Sequence, residues 1–255
     1  MNKLGYVFQT PTIAFEKLFN EILECGITTP NGTRALFAVN ILILNPCDNI
    51  ITTPFRKFSE SYAKREWAWY LSGNRSVSEI KKFAPIWDKM HGGDDIVNSN
   101  YGYQWNRNKQ LTKCIEQLKK DRFTRRAWLT LFDGKEKSEY EFDTPCTLNI
   151  GFYVNPILPN DLNMTVTMRS NDLIYGFCND QYCFSELLKF VAAHVGLNVG
   201  SYTHFVNDLH IYDKFLTMKL DYDTKQSLEK SRELINKKIN EHLKLQIEWE
   251  KNCSK

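Results

Sequence analysis

The sequence has no apolar run long enough to span a bilayer, and its opening, MNKLGYVFQTPT, lacks the apolar core of a secretory signal. No two cysteines form a CxxC pair and no His/Cys cluster has zinc spacing, so no metal site is expected. The seven cysteines, Cys25, Cys47, Cys114, Cys146, Cys178, Cys183 and Cys253, are odd in number and widely spaced. In a chain too long to need disulfide staples they read as reduced thiols of an intracellular protein. The expected place is the cytoplasm, the host cytoplasm if the chain is phage-encoded. Charge of one sign is also lacking: a net charge of +3 is too mild for a nucleic-acid binder. Locally, eight Lys or Arg between Arg107 and Arg126 face only Glu116 and Asp121, which suits either a solvated helix face or an anion site. There is no internal repeat, low-complexity segment or linker.

What is present is enough apolar residue, 42% of 255, for a sizeable core in one domain over 1–255. TPTIAFEKLFNEILECG puts Phe15, Leu18, Phe19, Ile22 and Leu23 on one helical face, with Gly26 just past the end. RALFAVNILILNP reads as a buried strand closed by proline. A second helix is expected from about Pro54 to Leu71, with Glu66 on its apolar stripe beside Phe55, Phe58, Tyr62 and Trp69. Ser76 and Glu79 have capping-box spacing for a short helix leading to Trp87, and HGGDDIVNSNYGYQW reads as a loop. A helix through Leu111, Ile115 and Leu118 follows, then three strands, RRAWLTLF, CTLNIGFYV and LNMTVTMRS. A helix over about 181–197, a strand THFVNDLHIY, a mixed-charge helix over about 224–241 and a closing strand through Leu243, Leu245, Ile247 and Trp249 complete the chain. The order indicates an α+β fold with a mixed, largely antiparallel sheet packed by helices.

Several residues carry chemistry. A carboxylate on a buried stripe, such as Glu66, is ordinarily paired, because burying an unpaired charge is expensive. Cys146 opens a strand behind a proline; such a cysteine is either a small core residue or, near positive charge, a nucleophile. Arg125, Arg126 and Arg169 stand at strand ends where guanidinium groups can converge on a thiolate or a phosphate. His210 and Tyr212 alternate onto one strand face and can share one hydroxyl, unless the histidine is a satisfied core residue.

In this order these segments resemble the thymidylate synthase superfamily, over about Glu66 to Tyr212. EWAWYLSGN resembles its Glu-containing helix, IWD and NYGYQW its folate-side segment, RR followed by PC its arginine pair and nucleophile, and RSND with the following glycine and LHIY its nucleotide-binding segments. The resemblance implies a sheet-to-sheet homodimer, a pyrimidine nucleoside monophosphate as substrate and 5,10-methylenetetrahydrofolate as one-carbon donor. It implies Cys146 as the nucleophile at C6, Glu66 organising water and protons, and Tyr101 in the proton network near C5. Arg169 and Ser170, with Arg125 and Arg126 of the partner subunit, hold the phosphate. His210 and Tyr212 take the sugar hydroxyl, Asn179 belongs to the nucleotide side, and Asp172, Trp87 and Ile86 face the folate.

Three departures point to the deoxycytidylate hydroxymethylase branch of that superfamily. Where synthases carry an asparagine that reads uracil, this chain has Asp180, four residues after Gly176. Cytosine presents an amino donor and an unprotonated N3, the inverse of uracil's edge, and a carboxyl sharing one proton with the base can meet it. A proton at N3 also makes C6 more electrophilic. An aspartate at a helix start is otherwise an ordinary N-cap. Thr147 follows the nucleophile where synthases have histidine, and no Tyr-x-Pro-x-Pro segment follows the LHIY strand. Such a segment helps exclude water, so its lack is expected to favour water as the final acceptor of the one-carbon unit. Arg34 is displaced from the synthase loop arginine. Action on the ribonucleotide, on deoxyuridylate, or nucleotide binding without turnover are the alternatives.

Overall fold

The computed structural model describes residues 5–133 and 143–253. The chain divides into two units, Met1–Asp213 and Lys214–Lys255.

In the first unit the elements are β1 (Tyr6–Phe8), α1 (Pro11–Cys25), β2 (Ile27–Thr29), β3 (Thr33–Ile43), α2 (Glu60–Ser72), α3 (Tyr101–Asn106), α4 (Gln110–Lys120), β4 (Trp128–Thr130), β5 (Thr147–Val154), β6 (Asp161–Met168), β7 (Asn171–Asp172), α5 (Cys178–Val195) and β8 (Asn198–Tyr212). The strands form one mixed sheet in the order β1-β3-β8-β6-β5-β4, with β2 on β3 and β7 on β8. Pairings β1–β3, β6–β8 and β7–β8 are parallel and the other four antiparallel. The α+β expectation holds.

Helix α1 forms as its spacing predicts. Thr10 accepts from the backbone N–H of Ile13, and Ala14, Phe15, Leu18, Phe19 and Ile22 are buried. A Cβ on Gly26 would stand 2.4 Å from the Ile22 carbonyl oxygen, so only glycine lets the chain turn there into β2. α5 buries Phe184, Leu187, Leu188 and Val191, and β8 buries Tyr202, His204 and Val206, so the core holds more than hydrocarbon.

Four local expectations are corrected. The second helix begins at Glu60, not Pro54: Ser59 caps it by accepting from the Tyr62 N–H, and Lys57 has φ 51, outside the helical region. Phe55 therefore leaves the helical stripe and packs on Phe15 and Phe19, at 5.7 and 5.2 Å between ring centroids. Ser76 makes no capping box. Its hydroxyl accepts from Ser78 N–H and donates to Asp95, and the segment forms 3-10 turns at Ile80–Lys82 and Pro85–Lys89. The segment expected as loop ends in helix α3, capped by Asn100 on the Tyr103 N–H at 2.8 Å.

The second unit is a helix, α6 (Met218–Cys253). The closing strand through Leu243 to Trp249 is thereby overturned. Lys, Glu, Leu and Gln dominate that stretch, and these residues extend a helix once it is nucleated. Among the described residues no helix is long and apolar enough to cross a membrane.

Candidate active site

Strand ends place the polar groups. Cys146 immediately precedes β5 and Arg169 immediately follows β6; the Arg169 N–H donates to the Cys146 carbonyl at 2.9 Å. The guanidinium donates from Nε to the Pro145 carbonyl (3.1 Å) and from Nη2 to that of Thr144 (2.7 Å), and Nη2 lies 3.6 Å from Cys146 Sγ. Arginine thus has two backbone anchors and one face toward the thiol. Burial pushes the half-buried Cys146 thiol up to about 11, against the pull of Arg169 and with Asp180 and Asp143 adding to the rise. Thr147, fully buried, opens β5.

Glu66 is 5% exposed on α2. Its Oε1 accepts from the Tyr62 hydroxyl at 3.1 Å, and its buried Oε2 has no hydrogen-bond partner among the described residues. Burial, then the charge of Asp180, pushes its carboxyl up to about 8. The paired cation that a buried carboxylate ordinarily has is missing among the described residues, and a proton takes its place.

Asp180 sits in the first turn of α5, with its carboxyl pushed up to about 7 by burial. It does not cap the helix. The helix runs on from a π-helical turn, Leu173–Phe177, and Asp172 caps that turn by accepting from the N–H groups of Ile174 (3.0 Å) and Tyr175 (2.9 Å). Asp180 Oδ2 instead accepts from Asn171 Nδ2 at 2.7 Å. Both Asp172 oxygens are committed to backbone, so its first role is to shape the turn. Tyr101 is buried, with burial and then Asp180 and Cys146 raising its hydroxyl well above the ordinary tyrosine range. Asp180 therefore lies within electrostatic reach of Glu66, Tyr101 and Cys146.

On β8, Asp208, His210 and Tyr212 share a face. His210 Nδ1 lies 3.0 Å from Asp208 Oδ1 and the rings of His210 and Tyr212 meet edge to face at 5.1 Å. Burial raises the Tyr212 hydroxyl, with Asp172 and Cys146 adding to the rise, which puts that strand end beside the thiol. Ser170 follows Arg169, half-buried.

A cleft of about 410 Å³ adjoins this group, lined by Arg56, Lys57, Tyr62, Ile86, Tyr175 and Asn179 among others. Ile86 is 59% exposed into solvent whereas Trp87 is 9% exposed, its Nε1 donating to the Tyr62 hydroxyl at 2.9 Å and its ring packed on Trp69. Trp87 is therefore tied to Glu66 through Tyr62. Arg125 and Arg126 line a different cleft, with Lys120, Phe123 and Thr124, that shares no lining residue with the first. Arg34 donates from Nε to the Gly26 carbonyl at 3.0 Å.

Sequence reasoning missed Arg56, which is 7% exposed, donates from Nε to the Ile174 carbonyl and lies 5.0 Å over the Tyr175 ring. It also missed Asn171, Tyr202 and His204. The last two have the same parity along β8 as His210 and Tyr212, a signal that was available.

The site thus brings together a half-buried thiol, an anchored arginine and two carboxyls whose burial raises them toward neutrality, carried on the sheet and on helices α2 and α5. The fold matches that of thermostable thymidylate synthase A from Bacillus subtilis, with a TM-score of 0.68 and 20% identity, over 80% of this chain and 81% of that one. The sequence pattern of the thymidylate synthase family matches residues 14–255, and the chain belongs to that family. It is 30% identical over 196 residues to a deoxyuridylate hydroxymethyltransferase of Pseudomonas phage M6, covering 73% of this chain and 54% of that protein. It is 26% identical over 223 residues to a deoxyuridylate hydroxymethyltransferase of Bacillus phage SP01, covering 79% and 57%. With the thymidylate synthase of Bacillus mojavensis it shares 25% over 241 residues, covering 83% and 85%. The chain thus spans little more than half the length of the two phage relatives.

Proposed function

We propose that the protein is a homodimeric deoxycytidylate 5-hydroxymethyltransferase that uses 5,10-methylenetetrahydrofolate and water. The observation that carries the cytosine assignment is Asp180, a carboxyl that holds or shares a proton near neutral pH because burial raises it. One oxygen accepts from the cytosine amino group while the shared proton bridges to N3. Uracil presents N3–H and O4, and O4 finds a donor only when the carboxyl is protonated on the oxygen facing it, whereas with cytosine the one proton is shared with N3 in either ionisation state.

In this reading Cys146 Sγ adds to C6, and Arg169 supplies the positive charge that draws the thiol toward its thiolate. The phosphate is taken by Arg169 and Ser170, with Arg125 and Arg126 supplied by the partner subunit, consistent with their separate cleft. His210 and Tyr212 take the sugar hydroxyl. The walls of the cleft beside Asn179, with Ile86 and Tyr175 apolar and Arg56 and Lys57 cationic, suit a flat heteroaromatic group bearing carboxylates. The folate supplies a one-carbon unit to C5. Glu66, protonated at neutral pH and with a free oxygen, and Tyr101 then hold the water and move protons as Cys146 leaves.

The names of the two phage relatives favour a second reading, hydroxymethylation of deoxyuridylate. Both readings predict a hydroxymethylated product, and the base separates them. Mass spectrometry after incubation with methylenetetrahydrofolate and dCMP, CMP or dUMP in turn tests the assignment. The expected result is 5-hydroxymethyl-dCMP; dUMP as the preferred substrate overturns the cytosine assignment, and a 5-methyl product overturns the hydroxymethylase one.

A further inference from the structure

Behind Asp180 the polar side chains continue in single file into the core. Asn171 Nδ2 donates to Asp180 Oδ2 at 2.7 Å, and Asn171 Oδ1 lies 3.2 Å from His204 Nε2. His204 Nδ1 in turn is hydrogen-bonded to the Tyr202 hydroxyl. All three residues are buried, Asn171 at 3% and Tyr202 and His204 at 0% exposure, and the His204 ring is fixed edge-on against Phe177 at 5.5 Å. Burial pushes the His204 imidazolium down to about 3, so the ring is neutral and carries one N–H.

Those facts set the direction of the chain. A neutral imidazole has one donor nitrogen and one acceptor. If the Tyr202 hydroxyl donates to Nδ1, then Nε2 carries the hydrogen and donates to Asn171 Oδ1. The amide must then turn its NH₂ toward Asp180, whose Oδ2 is an acceptor. Reversing any one bond requires reversing them all and placing a proton on Oδ2. Asp180 Oδ1 has no hydrogen-bond partner among the described residues. The two oxygens are therefore made unequal by residues that never reach the substrate: Oδ2 already accepts from the protein, which fixes it as the acceptor toward the base, and Oδ1 is left as the one that shares a proton with the ligand.

The sheet explains why this arrangement is rigid. Asn171 is in β7, paired with Leu209 of β8, while Tyr202 and His204 are on β8 itself, opposite β3 and β6. Gly176 completes the site: a Cβ there would be 2.8 Å from Asn171 Nδ2, so the turn approaches the amide only because it carries glycine.

We propose that Asn171, held by His204 and Tyr202, is a specificity-determining positioning residue that presents Asp180 Oδ1 to the base and so sets the preference for cytosine over uracil. This rests on the base-reading role of Asp180. The chain supplies orientation and fixes which oxygen is free to share a proton with the ligand, and it transfers nothing itself.

The test is the ratio of kcat/KM for dCMP to that for dUMP, measured on Asn171→Ala, His204→Leu, His204→Gln and Asp180→Asn. Asn171→Ala and His204→Leu are expected to lower the ratio about tenfold or more, because the carboxyl is freed to turn either oxygen to the base. His204→Gln keeps a donor to Asn171 and is expected to restore most of the ratio. Parallel losses on both bases in Asn171→Ala, with no rescue by His204→Gln, overturn the positioning role. If His204→Leu does not fold, Asn171→Ala, which removes no buried ring, decides. Asp180→Asn separates the two layers: loss of the preference there with retention in Asn171→Ala overturns the positioning role and leaves the base reading standing. Retention of the preference in Asp180→Asn overturns the base reading itself.

Discussion

Nη2 of Arg169 lies 3.6 Å from Sγ of Cys146, and the same guanidinium is tied to the carbonyls of Thr144 and Pro145. The arginine cannot swing away without breaking two backbone anchors. Burial nevertheless keeps the thiol at about 11, so in the free protein the thiol form dominates at neutral pH. Alkylation of Cys146 by iodoacetamide, followed by peptide mass spectrometry, should rise about tenfold per pH unit up to that value. Exposed Cys25 should react faster at neutral pH, and Arg169→Leu should slow Cys146 further. Neutral-pH labelling of Cys146 ahead of Cys25 would show that the thiol is already activated.

The buried ionisable groups make stability fall with pH. Burial raises Glu66 from its ordinary value to about 8 and Asp180 to about 7, so both bind more protons folded than unfolded above pH ~4. His204, lowered to about 3, acts oppositely: its contribution is complete above its unfolded value near 6.5 and is lost as pH falls. Above pH ~6.5 only the carboxyls remain, and the free energy of urea unfolding should drop by about 2 kcal/mol between pH ~6.5 and ~8. Glu66→Gln should flatten that slope while lowering kcat by about 10²-fold or more. An unchanged slope in Glu66→Gln would mean that Glu66 is ionised throughout.

Gly176→Ala should be costly although the residue is not fully buried. Its Cβ would meet Asn171 Nδ2 at 2.8 Å and lie 3.6 Å from Asp180 Oδ2. Overpacking of this kind costs about 1–3 kcal/mol. Urea unfolding should register that loss, with turnover of dCMP falling more than the affinity for its phosphate, measured with inorganic phosphate as a competitor.

Arg125 and Arg126 offer a test of assembly. If they act across a dimer interface, Arg126→Ala and Cys146→Ser are each inactive alone, and an equimolar mixture refolded together regains about a quarter of full activity. Random pairing makes half the dimers mixed, each with one intact site. No recovery on mixing would place Arg126 in its own subunit's site.

Much of the frame is legible in the residues. Alternation identifies β5, β6 and β8, and the i, i+3, i+4 spacing of Phe15, Leu18, Phe19 and Ile22 identifies α1, because each pattern reports a single buried face. The site is legible where a residue type is unusual for its place, as with Glu66 on an apolar stripe. Asn171 and His204 escaped because 33 positions separate them and only the pairing of β7 with β8 brings them together. The stretch from Leu243 to Trp249 misled for a related reason: alternation marks a strand only where a sheet exists to bury one face, whereas here helix continues to Cys253.

Strand β8 works as a gauge. It is paired along its length with β3 on one side and with β6 and β7 on the other, and it carries His204 and His210 on the same face. The six residue steps from one to the other fix a separation of about 20 Å by the strand rise alone. No loop can take up slack between the groups that steady the carboxyl and those at the far end of the strand. Nucleotide analogues lengthened by one bond between sugar and base should therefore fit one end or the other, never both.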